Sequence, residues 1–229
     1  MREKTFAFKI TIPVLMGYLA AGCAFGLIVH NGGYPWFVAL LMSVCVFAGA
    51  AQFALAALCA AGAGYVEIAV AVALINFRHL FYGLSLFGKF RDTKPYKPYL
   101  IFGLTDETYG LLTTIEAPPE CSKKKTYFYI TLFNQLYWII GGLVGYFLGT
   151  IIPFDFAGVD FALTALFVVL FIEQWKSNSE KKPFAIAAAC SIVALVVVGP
   201  QNMLLVSFIL SIIALMAVRN KIEGRAGAC

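Results

Sequence analysis

The sequence predicts an all-α, polytopic integral membrane protein: a helical bundle of eight hydrophobic segments. Three observations lead there. Of 229 residues, 61% are hydrophobic and only 13% charged, with a mean hydropathy of +0.85. Soluble domains carry about 25% charged residues, and at this size surface-to-volume scaling would leave too much apolar surface in water. The apolar residues also fall into runs near the ~20 residues that cross a hydrocarbon core. Finally, all but one of the 17 Lys and Arg lie at the termini or in short loops. That is a topology signal rather than a nucleic-acid footprint.

In order, the segments are 10–29, 36–60, 65–88, 100–115, 126–152, 156–175, 183–198 and 200–218. They form one expected membrane domain, 1–221. Ile222-Glu223-Gly224-Arg225 resembles a tag-cleavage site, so 222–229 is set aside as a tag remnant or disordered tail. At the start, Arg2, Lys4 and Lys9 precede a run reaching Ala20-Ala21-Gly22-Cys23, which imitates a lipoprotein cleavage site. The run continues through Val29, as an uncleaved first span would. Cys23, Cys45, Cys59 and Cys190 lie in apolar runs, where cysteine acts as a small hydrophobe. No CxxC or metal-ligand spacing is present, so neither a disulfide framework nor a metal or cofactor site is expected.

Basic residues in short flanks orient the spans. The N-terminus, the 116–125 loop, the 176–183 loop and the C-terminal tail each hold three, whereas 30–35, 61–64, 153–160 and 199–201 hold none. Eight crossings put both termini in the cytoplasm and fit every count but one. The 89–99 loop, with Lys89, Arg91, Lys94 and Lys97, would then lie outside. The conflict disappears if segments three and four each enter and leave on the cytoplasmic side, giving six crossings and two re-entrant or broken segments. Both readings stay open. A weak parallel internal repeat is a further expectation, with Gly22 and Gly26 echoed by Gly141, Gly145 and Gly149. Each copy is followed by a charge-poor loop and a helix carrying Gln52 or Gln174. Ordinary small-residue packing faces would leave the same trace.

Four stretches could carry chemistry. Asn76-Phe77-Arg78-His79 places a cation inside segment three, where a charge costs at least ~2.5 kcal/mol and usually faces a partner or a cavity. Its structural alternatives are snorkelling to an interface and a pairing with Glu67 or Asp106. Thr105-Asp106-Glu107-Thr108-Tyr109 puts two carboxylates in a short segment, able to hold an ammonium ion or relay a proton. Phe47 to Phe53 lets backbones approach and can break the helix at Gly49. The exposed N–H groups would then suit a carboxylate; a tight packing seam is the alternative. Glu173-Gln174 and Gly199-Pro200-Gln201-Asn202 read as a hydrated end and an outer turn. The GxxxxGK match at 83–89 lacks the following Ser or Thr and a preceding strand, so it is a chance match.

Taken together, Phe47 to Gln52, Asn76 to His79 with Tyr82-Gly83, Asp106-Glu107-Thr108-Tyr109 and the 160–167 run beginning Asp160 resemble the AzlC family over about residues 5–218. The resemblance implies the large subunit of a branched-chain amino acid exporter in the bacterial inner membrane. It also implies a small partner of about four spans, AzlD. The residues expected to bind a zwitterionic amino acid are Gly49, Gln52, Asn76, Arg78, His79, Tyr82, Asp106, Glu107 and Tyr109. The carboxylate would meet Arg78 or the N–H groups near Gly49, and the ammonium Asp106 or Glu107. Phe47, Phe53, Phe77 and Tyr82 would form the apolar pocket. Two other classes compete: an intramembrane enzyme using Asp106, Glu107 and His79 as acid and base, and a scaffold or channel-like subunit. The enzyme reading lacks a paired nucleophile, a metal cluster and a cofactor motif.

Overall fold

A computed structural model describes residues 2–60, 62–151, 168, 171–172, 175–176 and 181–226. Segment six lies almost wholly outside these residues, as do the 160–167 run, Glu173, Gln174 and the side chains of Gln201 and Asn202. The described elements are helical, with no strand among them. They are α1 (Arg2–Asn31), α2 (Trp36–Leu41) running into a π-turn (Met42–Val46), α3 (Gly49–Ala60), α4 (Tyr65–Ser85), α5 (Lys97–Phe102), α6 (Asp106–Thr114), α7 (Lys123–Ile151) and α8 (Lys182–Ala226). Among the described residues, α1, α4, α7 and the Lys182–Gly199 part of α8 are each long and apolar enough to cross a membrane. The chain divides into two compact units, one of Met1–Ile68 with Ile75–Leu163, the other of Ala69–Leu74 with Thr164–Cys229.

The first unit is organised by α1 and α7, which run side by side in the same direction. Lys4 lies over the Tyr129 ring, the Phe8 and Phe133 rings meet at 5.9 Å, and Thr11 Oγ1 is 3.0 Å from Tyr137 Oη. Farther along, Tyr18 packs on Trp138 and His30 on Tyr146. The glycines predicted as packing faces form this seam. A Cβ on Gly22 would lie 3.1 Å from Gly141 Cα, and one on Gly145 would run into the Cys23 backbone. Small residues let two long apolar helices pack backbone to backbone. Because the pair is parallel, the basic N-terminus and Lys123-Lys124-Lys125 share one end of the unit, hereafter the basic end.

Segment four is a hairpin. Tyr96 packs against Phe128 at 4.7 Å, and α5 then climbs until Tyr99 Oη donates to Gln135 Oε1 at 2.6 Å. The chain breaks at Gly103–Thr105 and α6 descends. Thr108 meets Asn134, while Leu112 joins a buried cluster with Tyr127 and Ile130 near the start of α7. Local chemistry explains so short a helix. Thr105 caps α6 by accepting the Thr108 N–H, Asp106 and Glu107 sit in its first turn, and Lys89 Nζ donates to the Leu112 and Thr113 carbonyls at its far end. Both ends of the helix dipole are thus matched.

α4 runs beside α6 in the same direction. Tyr82 reaches Asp106, Ser85 reaches Tyr109, and Leu86 and Phe90 enter the cluster at the basic end. Its 21 residues, roughly 31 Å of helix, therefore begin at the opposite end with Tyr65 and finish at the basic end. The 89–99 loop accordingly lies with Lys123-Lys125, which removes the charge conflict.

Segment two is the other hairpin. Tyr146 Oη donates to the Tyr34 carbonyl, and Gln135 Nε2 donates to the Val44 carbonyl, so α2 and the π-turn descend along α7 from the far end. Phe47, at φ 40 and ψ 47, takes a left-handed conformation that ends the helix, strained for a side chain by about 1–2 kcal/mol. α3 starts at Gly49, and five residue steps of at most roughly 18 Å join Ala60 to Tyr65 at the far end. α3 must therefore climb back.

Two expectations are corrected. The broken segments are two and four, so the reading that breaks three and four holds for segment four alone: segment three, for all its polar residues, is the unbroken α4. The break in segment two falls at Phe47–Ala48 rather than at Gly49, because Phe47 adopts the left-handed turn. In the second unit, α8 leaves helical geometry at Gly199 (φ 74, ψ 176). The following Pro200 disfavours helix there, and glycine tolerates the positive φ.

Candidate functional site

The two hairpin tips meet α7 at one level, within the turn from Asn134 to Trp138. Gln135 ties hairpin to hairpin: its Oε1 accepts from Tyr99 and its Nε2 donates to the Val44 carbonyl at 3.2 Å. One position back, Asn134 Nδ2 donates to Thr108 Oγ1 at 2.9 Å. Trp138 packs edge-on to Tyr18 (5.4 Å) and Phe53 (6.4 Å) and stacks on Phe25 (6.2 Å). Among the described residues, several buried polar atoms without a hydrogen-bond partner lie at this level or about a turn from it, namely both amide atoms of Gln52, Ser43 Oγ, Trp138 Nε1 and Asn134 Oδ1; Asn76 Oδ1, Arg78 Nε and Thr126 Oγ1 are others. Such atoms are uncommon in a settled interior, because each forgoes its hydration.

Beside this level, α4 presents its polar face to the start of α6. Arg78 Nη1 lies 2.6 Å from Asp106 Oδ2, and Tyr82 Oη donates to Asp106 Oδ1 at 2.7 Å. The Tyr82 and Tyr109 rings stack at 4.4 Å, with His79 edge-on to Tyr82. The ion pair is only partly covered, its side chains 33% and 23% exposed.

Glu107 faces the other way. Tyr18 Oη is 2.6 Å from Glu107 Oε2 and equally close to Thr105 Oγ1, which is 3.0 Å from Thr108 Oγ1. A hydroxyl has one proton, so an ionised Glu107 takes that of Tyr18. The chain of hydroxyls then continues through Thr105 and Thr108 to Asn134 on α7.

The predicted residues thus fall into two places. Arg78, His79, Tyr82, Asp106 and Tyr109 come together, and Glu107 adjoins them. Asn76 is one helical turn from His79, with its carbonyl 3.2 Å from His79 Nδ1. Gly49 and Gln52 are apart from this group, on the other hairpin against Trp138, where a Cβ on Gly49 would lie 3.0 Å from the indole. Arg78 is engaged by Asp106, the structural alternative for that residue. Sequence reasoning missed Tyr18, Tyr99, Asn134, Gln135 and Trp138. Asn134-Gln135, adjacent amides inside a 29-residue apolar helix, was the available signal. Among the described residues, no group of three His, Cys, Asp or Glu could hold a metal ion.

A family model described as AzlC protein matches residues 13–152. An uncharacterized membrane protein of Helicobacter pylori is 39% identical over 217 residues, 95% of this chain and 95% of that one. The branched-chain amino acid transport protein AzlC of Bacillus subtilis is 34% identical over 215 residues, 94% of this chain and 84% of that one. Inner membrane protein YgaZ of Escherichia coli is 26% identical over 190 residues, 82% and 78% of the two chains. No solved structure matches. The family match takes in both hairpins together with most of α1 and all of α4 and α7, and the chain belongs to the AzlC family of membrane proteins.

Proposed function

We propose that this chain is the large subunit of a secondary transporter that exports branched-chain amino acids across the bacterial inner membrane. The observation that carries the reading is the polar level where two half-depth hairpins meet α7, flanked by the partly exposed Arg78–Asp106 pair. Charged groups at membrane depth are retained where they face a path or a cavity, and broken helices place backbone groups along it. The name of the Bacillus subtilis relative supplies the substrate class. Gly49, Gln52, Asn76, Arg78, His79, Tyr82, Asp106, Glu107 and Tyr109 line or support the path. The basic end faces the cytoplasm by the positive-inside rule, with both termini on that side. A small four-span membrane subunit completes the transporter.

Efflux of leucine, isoleucine and valine from preloaded cells tests this, with the chain and its partner present or absent. Faster efflux of at least one is expected. Unchanged efflux of all three would sink the proposal.

A further inference from the structure

The start of α3 differs from the start of α6 in one electrostatic respect. α6 carries its own carboxylates, Asp106 and Glu107, at its positive end, and Thr105 caps it. α3 has no acidic residue in its first turn, and Ala48 before it offers no side-chain acceptor. Its ladder begins with the Gln52 N–H donating to the Ala48 carbonyl at 2.9 Å. The N–H groups of Gly49, Ala50 and Ala51 therefore have no acceptor within the helix. Together with the helix dipole they form a ready anion site.

A second, independent observation marks the same spot. Gln52 is fully buried, and neither its Nε2 nor its Oε1 has a partner. Side chains on a helix lean toward its N-terminus, so this amide leans back over the first turn. Trp138 is 4% exposed and sets the benzene edge of its indole against Gly49, while its Nε1–H, on the five-membered ring, has no partner. A carboxylate accepts up to four hydrogen bonds and donates none, so it complements the N–H groups of Gly49, Ala50 and Ala51 and Gln52 Nε2, with the acceptor Gln52 Oε1 turned away from it. Phe25 and Phe53 pack around the same indole and would adjoin an aliphatic side chain. Arg78, the cation on α4, already pairs with Asp106 through Nη1, and its buried Nε has no partner.

We propose that the N-terminus of α3, with Gln52 and Trp138, is the carboxylate-binding subsite for the exported amino acid. The assignment rests on the transport reading. It divides the substrate between the two hairpins, with the carboxylate on α3 and the ammonium toward the acidic start of α6.

The test is equilibrium binding of radiolabelled L-leucine to the full chain together with its small membrane partner in detergent, in competition with leucinamide, which lacks the carboxylate charge. Leucine should bind about tenfold or more tightly than leucinamide, as hydrogen bonds to a charged group imply. Gln52→Leu and Trp138→Phe should each weaken leucine binding about tenfold, leave leucinamide nearly unchanged, and unfold near the wild-type temperature. Either variant, folded as wild type yet keeping the wild-type ratio of leucine to leucinamide affinity, would overturn the subsite. So would loss of that ratio in Arg78→Gln alone, which would move the carboxylate to α4. Wild-type protein that binds neither compound would overturn the transport reading along with the subsite.

Discussion

Arg78 and Asp106 meet at 2.6 Å, fastening the long helix α4 to the first turn of the half-length helix α6. Removing one partner strands the other charge at depth. A fully buried pair would lose about 3–5 kcal/mol, but partial exposure reduces this. Arg78→Ala and Asp106→Ala are each expected to cost about 1–3 kcal/mol. The double variant should cost about 1 kcal/mol or more less than their sum. Thermal unfolding of the four proteins in one detergent measures the cycle, and strict additivity would show that the pair contributes nothing.

Gln135 bridges the two hairpins through Tyr99 and the Val44 carbonyl. Gln135→Leu keeps the volume but drops both bonds, for an expected loss of about 1–3 kcal/mol. Efflux should fall by more than the loss of folded protein explains, since both tips are released at once. Efflux normalised to folded protein separates the two effects.

The glycine seam predicts a contrast within α1 and α7. Gly145→Ala pushes a methyl into the Cys23 backbone, whereas a Cβ on Gly17 meets nothing within 4 Å. Gly145→Ala should destabilise by about 1–3 kcal/mol or more. Gly17→Ala should be neutral or stabilising by up to about 1 kcal/mol, as expected for glycine in a helix interior. Paired melting curves decide it.

Asp92 and Tyr65 lie toward opposite ends of α4 on exposed surface. In a background without other cysteines, Asp92→Cys should react with an impermeant thiol reagent from the same side as a cysteine at Lys124. Tyr65→Cys should react from the other side. Labelling of Asp92→Cys from the side opposite the Lys124 cysteine would contradict the hairpin in segment four, and labelling of Asp92→Cys and Tyr65→Cys from one side would contradict the unbroken α4.

Much of this architecture was legible in the sequence, for identifiable reasons. Bulk hydropathy and the placement of Lys and Arg follow from the solvent, so the helical membrane class could be read directly, and the basic 89–99 loop stood out as the count that eight crossings did not fit. Which segment turns back could not. Polar residues marked segment three as broken, yet Asn76, Arg78 and His79 sit on an intact helix because α6 supplies their partners. Segment two looked like an ordinary span because its break rests on one left-handed phenylalanine, a conformation that composition does not announce. The pairing of Arg78 with Asp106 was named as an alternative. The roles of Tyr18 and Gln135 were not, because each depends on contacts with residues about 90 positions away.

The two hairpins reach inward from opposite ends to one level of α7, and this has an electrical consequence. If water follows each hairpin to its tip, the septum that separates the two sides is about one or two helical turns thick, roughly 5–10 Å. In an energised membrane the voltage drops mostly across such a septum, and moving one elementary charge through the full drop is worth about 2.3 kcal/mol per 100 mV. A zwitterion carries no net charge through that field, whereas a proton carries a whole one. On the proposed function, the membrane potential therefore acts on the amino acid only through an ion that travels with it.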